Sequence, residues 1–190
     1  MTLKLVGLVG NNAPISYNRT LLTYMQTHFA GDAEISLAEI KELPLFNEAD
    51  LAEVPASVQA LSDQLAAADG IIIATPEYDH AIPAALKSAI EWLSTATHPF
   101  TTKPVMIVGA SLGIQGTARA QDNLRQILNS PGVNAFVLPG YEFLLNTAKA
   151  QFDAEGQLTN DKTVTFLEEC FSHYLKFVTD NLTDLKLVRN

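Results

Sequence analysis

At 190 residues, 47% hydrophobic and 17% charged, the chain has the composition of a globular domain with a substantial core, not of a disordered segment. A formal net charge of −9 argues against a nucleic-acid partner, which requires a basic surface, yet allows a single phosphate held by local amides. Cys170 is the only cysteine, so a cysteine cluster or intramolecular disulfide is excluded. It falls at an apolar position of the last helical pattern and reads as a buried, inert thiol. The start of the chain runs straight into a strand, with no basic region or cleavage site. No run approaches the roughly 20 apolar residues of a membrane span, so a cytoplasmic location without a membrane partner is expected.

Strand-like and helix-like patterns alternate from end to end. The first strand is Leu3 to Val9, followed by a helix marked by Leu21, Leu22, Met25 and Phe29. A second strand lies around Glu34 to Leu37. The stretch from Ala38 to Val54, with Pro44, Asn47 and several acids, reads as an irregular connection long enough to shape a site wall or a subunit contact. Val54, Val58, Leu61, Leu65 and Ala68 define the second helix, with Pro55 suited to its first turn. Gly70 to Thr75 is a third strand, whose run Ile71-Ile72-Ile73 is apolar enough to be buried on both faces. Ile82, Ala85, Leu86, Ala89, Ile90 and Leu93 give the third helix, and Val105 to Ala110 the fourth strand. A fourth helix carries Ala120, Leu124, Ile127 and Leu128, and a fifth strand, Ala135 to Leu138, ends at Pro139-Gly140. Val164, Leu167, Phe171, Tyr174 and Val178 mark the last helix, and Leu182 to Asn190 reads as a loosely packed tail. Such alternation predicts an α/β fold with helices on both faces of a parallel sheet, a three-layer sandwich. Right-handed crossovers then favour a flavodoxin-like five-stranded order of 2-1-3-4-5 in one domain, residues 1–190.

Ligands of such sheets sit beyond the carboxyl ends of the strands, so the loops there carry the functional reading. After the first strand comes Gly10-Asn11-Asn12-Ala13-Pro14-Ile15-Ser16-Tyr17-Asn18-Arg19, which feeds a helix N-terminus. Unpaired amides and the positive end of a helix dipole suit an anion there, with Ser16 and Asn18 able to donate; the same two residues would also serve as helix caps. The loop is neither a Gly-x-Gly-x-x-Gly fingerprint nor a P-loop. After the third strand, Pro76-Glu77-Tyr78-Asp79 offers an aromatic wall and backbone amides to a planar ring. The loop after the fourth strand, Ser111-Leu-Gly113-Ile-Gln115-Gly116-Thr117, has glycines that let a backbone approach a ring closely. No metal-ligand spacing links the four histidines. Neither a Ser/His/Asp nor a Cys/His arrangement is visible.

The segment Pro76-Glu77-Tyr78-Asp79-x-x-x-Pro83-x-x-Leu86-Lys87-x-Ala89-Ile90-x-Trp92-Leu93 resembles the signature of the NAD(P)H-dependent FMN reductase family of flavodoxin-like proteins, which includes quinone, azo-dye and chromate reductases. The likeness runs in order over roughly residues 3 to 178. Against the family pattern Gly-Ser-x-Arg-x-x-Ser-x-Asn, the first loop keeps Gly10, Ser16 and Asn18, but has Asn11 in place of Ser and Ala13 in place of Arg. In the second, Asp79 replaces a usual Asn; in the third, Thr117 replaces a final Gly.

The resemblance implies FMN with its phosphate near Gly10, Asn11, Ser16 and Asn18, its ring beside Pro76, Glu77, Tyr78 and Asp79, and its pyrimidine edge near Ser111, Gly113 and Gly116. It further implies NADPH or NADH as hydride donor and a quinone, flavin, azo or nitro compound or metal oxyanion as acceptor, in ping-pong turnover. The flavin would carry the chemistry, and His80 is a candidate proton relay at neutral pH. A homodimer or homotetramer is also implied, with Trp92 and the apolar face ending at Leu93 as candidate contacts, Trp92 being equally suited to the core. An electron carrier reduced by partner proteins, or a non-redox FMN-binding protein, are the alternatives the sequence leaves open.

Overall fold

The computed structural model describes residues 2–188. Its parallel sheet is built from β1 (Leu3–Val9), β2 (Ala33–Glu39), β3 (Gly70–Ala74) and β4 (Pro104–Ala110), with the helices α1 (Tyr17–His28), α2 (Ala56–Ala67) and α3 (Ala84–Trp92) between them. Then follow α4 (Ala118–Leu128), β5 (Phe136–Val137), β6 (Phe143–Leu145) and α5 (Asp161–Val188). The strand order is β2-β1-β3-β4-β5, all parallel, which matches the order expected from the alternating pattern.

Alternate residues of each central strand feed opposite cores, as the period-2 geometry of a strand requires. Ile72, Ala74, Met106 and Val108 meet Leu21, Leu22 and Met25 of α1 and Leu167, Phe171 and Tyr174 of α5. Ile71, Ile73, Val105 and Ile107 meet Leu61 and Leu65 of α2, Leu86 and Ile90 of α3, and Leu124 and Leu128 of α4. Every residue of β3 and β4 is buried, the reason that Ile71-Ile72-Ile73 shows no polar alternation. Tyr174 ties α5 to the sheet by donating to the carbonyls of Ile71 and Pro104 at 2.9 and 3.1 Å. Burial drives its phenol pKa well upward. Cys170 lies in the same core, and burial pushes its thiol up to about 11.

Four sequence expectations change. The fifth strand is two short pieces: Phe136–Val137 pairs with Pro104–Val105, and Phe143–Leu145 pairs with Val108–Ala110. Pro139 has no N–H to offer a ladder, and Gly140 and Tyr141 follow with positive φ, so the strand leaves the sheet and returns. Pro55 and Pro83 stand one residue before α2 and α3, at the cap positions. The backbone from Leu182 to Val188, which the sequence pattern left outside the last helix, continues α5; Arg189 and Asn190 lie outside the described residues. Trp92 and Leu93 are fully buried within the chain, so neither side chain is available to a subunit contact. Trp92 instead anchors the connection after β2. Its Nε1 donates to the carbonyl of Pro44 at 3.0 Å, Phe46 packs edge-on at 5.1 Å, and Phe46 N–H donates to Ser88 Oγ at 2.7 Å.

Candidate active site

The loops after β1, β3 and β4 emerge side by side because those strands are neighbours in the sheet. Between them is a cavity of about 430 Å³. Asn11, Ile15, Ser16, Tyr17 and Asn18 line it from the first loop, Pro76, Glu77 and Tyr78 from the second, and Ala110 to Gly113, Gln115 and Thr117 from the third. Eight of the eleven residues singled out in the sequence therefore meet in one cavity. Gly10, Asp79 and Gly116 do not line it, for distinct reasons.

Gly10 lies where β1 passes β3: its N–H donates to the carbonyl of Ala74 at 2.8 Å, and a Cβ there would approach that oxygen to 2.5 Å. Gly116 has φ +61 and a backbone pressed on Leu144, so it is a turn residue with no room for a side chain. Asp79 sits at the tip of a two-residue hairpin. Tyr78 and Ala81 exchange backbone hydrogen bonds at 3.0 Å, while Asp79 and His80 take φ 49 and 65. This is the geometry of a type I′ turn, which suits Asp and Asn because their short side chains tolerate positive φ. His80, exposed at the second tip position, does not line the cavity either.

Several side chains expected to meet a ligand hold the loops together instead. Asn18 Nδ2 donates to the carbonyl of Ala110 at 2.9 Å, and its Oδ1 accepts from Ala110 N–H at 2.9 Å, so the first loop is bolted to the end of β4. Ser16 Oγ donates to Asn11 Oδ1 at 2.9 Å and accepts from Arg19 N–H at 3.2 Å, capping α1. Glu77 reaches across to α4, where its Oε2 accepts from the amides of Arg119 and Ala120 at 3.0 and 3.2 Å. That carboxylate supplies the cap that Thr117, held at φ 77 with its hydroxyl accepting from the Gln121 side chain at 3.2 Å instead of from a helix amide, does not. The second loop is thereby tied to the third.

What remains free is backbone. Among the described residues, the amides of Ile15, Ser16, Tyr17 and Asn18 have no hydrogen-bond acceptor, and neither do those of Glu77 or of Leu112 to Gly116. Four consecutive free N–H groups at the start of a twelve-residue helix form an anion site that needs no cationic side chain. The sequence reading gave the anion to Ser16, Asn18 and backbone amides together. Here both side chains already have protein partners, which leaves the amides as the free donors of this loop.

Sequence reasoning missed the apolar rim. Ile15 is 89% exposed, Leu112 65% and Tyr78 50%, all bordering the cavity, with Ile114 79% exposed beside them. The signal was present, since large apolar residues set among Pro, Ser and Gly in polar loops have no core to enter. Among the described residues, no group of three or more His, Cys, Asp or Glu is placed to hold a metal ion. No helix there is long and apolar enough to cross a membrane.

Free amides at a helix N-terminus, a cavity lined by three loops, and a position at the carboxyl rim of a doubly wound sheet fit a mononucleotide-binding protein of flavodoxin-like architecture. The fit to FMN is direct: a phosphate can take the free amides of the first loop, and a planar ring can lie against Pro76–Tyr78 and the open backbone at Gly113, where a Cβ would meet nothing closer than 3.9 Å. The family model for NADPH-dependent FMN reductases matches residues 3–150, and the chain belongs to that family.

The NADH:(hydroxy)cinnamate reductase subunit CrdA of Vibrio ruber is 50% identical over 95% of this chain and 89% of its own. The NADH-dependent flavin reductase subunit 2 of Lactobacillus johnsonii is 43% identical, covering 93% of this chain and 97% of its own. Among solved structures, the flavoenzyme NAD(P)H:(acceptor) oxidoreductase FerB of Paracoccus denitrificans superposes with a TM-score of 0.86, at 27% identity, over 95% of this chain and 99% of that one.

Proposed function

We propose that this chain is a single FMN-binding domain, that its cavity holds FMN with the phosphate on the amides of Ile15 to Asn18, and that NADH or NADPH and a planar acceptor use the exposed side of the slot in turn. The observation that carries this reading is the stitching of three loops by Asn18 and Glu77 around one cavity, with free amides on several of the residues that line it. When bound, FMN supplies the redox chemistry, accepting a hydride and returning electrons. The chain's part is to bind and orient. Amides of the second and third loops are the donors available to the ring, Tyr78 flanks it, and the rim of Ile15 and Leu112 favours conjugated, apolar acceptors over hydrated ones. Quinones, flavins and azo or nitro compounds suit that surface better than a metal oxyanion. One slot serving both substrates requires ping-pong kinetics.

Donor preference follows the environment of the slot. Arg19 is engaged by Glu39, and Arg119 carries the nearby guanidinium, 3.8 Å from Glu77. A cavity so poor in free cations favours NADH over NADPH, in keeping with the two NADH-named relatives. Anaerobic mixing of the FMN-loaded protein with NADH or NADPH tests the proposal. Bleaching of the flavin at catalytic rates with NADH supports it, and a flavin that stays oxidised with both contradicts it.

A second reading is favoured by the names of the two relatives, both designated subunits: the chain would reduce a partner protein instead of a free acceptor. Turnover with soluble quinone in the purified chain favours the first reading, and reduction without turnover favours the second. We further propose a homodimer or homotetramer in the cytoplasm, with light scattering as the test; a monomeric mass contradicts the assembly.

A further inference from the structure

We propose that Arg19 is a positioning residue of the phosphate site, a role that rests on the FMN reading above. It touches no ligand, but holds the turn from behind so that its amides face the anion. Arg19 Nε and Nη2 donate to the two carboxylate oxygens of Glu39 at 2.6 and 2.8 Å, a bidentate pair. The remaining terminal nitrogen, Nη1, donates to the carbonyls of Ala13 and Pro14 at 3.1 and 3.3 Å. One guanidinium thus joins the first turn of α1, the loop before it and the last residue of β2. The Glu39 hydrogen bond raises the Arg19 pKa further, so the clamp stays charged.

The consequence follows from peptide geometry. No cis bond occurs among the described residues, and in a trans peptide the N–H points opposite to the C=O. Holding the Pro14 carbonyl on the guanidinium turns the Ile15 N–H to the other side. Glu39 ends β2, which flanks β1 on the side away from β3 and β4, whereas the cavity opens toward the β3 and β4 loops. The clamp therefore grips the turn from the side remote from the cavity. With no donor on the Ala13 side chain, amide orientation is what the loop has to offer a phosphate. Lysine retains the charge but cannot reproduce the planar fork that grips both Glu39 oxygens while a third, separate nitrogen holds the two carbonyls.

The test compares FMN with riboflavin, which lacks the phosphate, by fluorescence titration of the full chain and its variants. Arg19→Lys and Arg19→Gln are each expected to weaken FMN by roughly tenfold while riboflavin changes less than about twofold, the loss that one or two misdirected charge-assisted hydrogen bonds produce. Glu39→Gln, which keeps Arg19 but breaks the fork, should lower the FMN preference as well. Wild-type FMN affinity in Arg19→Lys, or a raised FMN preference in Glu39→Gln, would show a long-range charge effect and overturn the proposal. Equal loss of both flavins would show general loosening, and overturns it too. Ser16→Asp separates the underlying reading, since Asp still caps α1 but sets a negative charge among the four amides. If Ser16→Asp loses FMN selectively while Arg19→Lys does not, only the Arg19 role fails. If Ser16→Asp leaves FMN unaffected, the phosphate does not lie at this turn.

Discussion

Asn18→Ala distinguishes a loop bolt from a ligand contact more sharply than any other substitution. Asn18 is 2% exposed and so is Ala110, so deleting the amide strands an N–H and a C=O that water cannot readily reach. Each unsatisfied buried group costs roughly 1–3 kcal/mol. Partial relaxation of the loops brings the pair to about 2–4 kcal/mol, a fall in Tm on the order of 5–15 °C for a domain of this size. Because the bolt joins the first loop to the third, flavin binding should weaken for FMN and riboflavin alike. Urea unfolding of the flavin-free protein and parallel titrations with the two flavins measure both effects. Stability within about 0.5 kcal/mol of wild type, combined with selective loss of FMN, would place Asn18 directly on the phosphate and refute the bolt.

Other substitutions and conditions probe the remaining parts of the account. Glu77→Ala should uncap α4, lowering stability by about 1 kcal/mol in urea melts and weakening FMN and riboflavin equally; an effect on turnover with no change in stability would give Glu77 a direct chemical role. Asp79→Asn keeps a residue tolerant of positive φ at the hairpin tip and removes an exposed charge. The FMN midpoint potential should therefore rise, by less than the roughly 20 mV that the ≈ 1 kcal/mol of two charges 4 Å apart in water represents for a two-electron couple; an unchanged or lower potential places Asp79 away from the ring. Leu112→Ser should raise KM for apolar quinones several-fold with kcat for NADH oxidation by a hydrophilic acceptor unchanged, and an unaltered KM would remove the rim from acceptor binding. Finally, the Cys170 thiol is held neutral by burial, up to about 11 in the folded state. The unfolded thiol ionises near 8.5, so this contribution to stability is intact below about pH 8.5 and is lost as pH climbs toward 11. Urea midpoints should fall over that interval, less so in Cys170→Ala; identical pH dependence in the two proteins would contradict the assignment.

The sheet order was readable in the chain because β3 and β4 are buried on both faces and announce themselves as unbroken apolar runs. The split fifth strand was not, since Phe143–Leu145 is three residues long and follows Pro139-Gly140, which reads as a terminus. Trp92 illustrates a different limit. Periodicity placed it on a helix, but only the fold reveals that the Pro44–Phe46 segment covers it, closing off the subunit contact entertained for it. At the site, sequence spacing picked out loops that meet at one cavity, but not the protein partners of their side chains. Ser16, Asn18 and Glu77 carry groups that suit a ligand, and their distant partners, Asn11, Ala110 and the amides of α4, become visible only in three dimensions. Free backbone amides leave no mark in a sequence, because every residue except proline has one.

The most direct test of the central claim is a crystal structure of the chain soaked with FMN. Density is expected for the phosphate on the amides of Ile15 to Asn18 and for the ring between Pro76–Tyr78 and Ser111–Gly113. Density at another surface, or a ring in the cavity with its phosphate directed away from the α1 N-terminus, would contradict it.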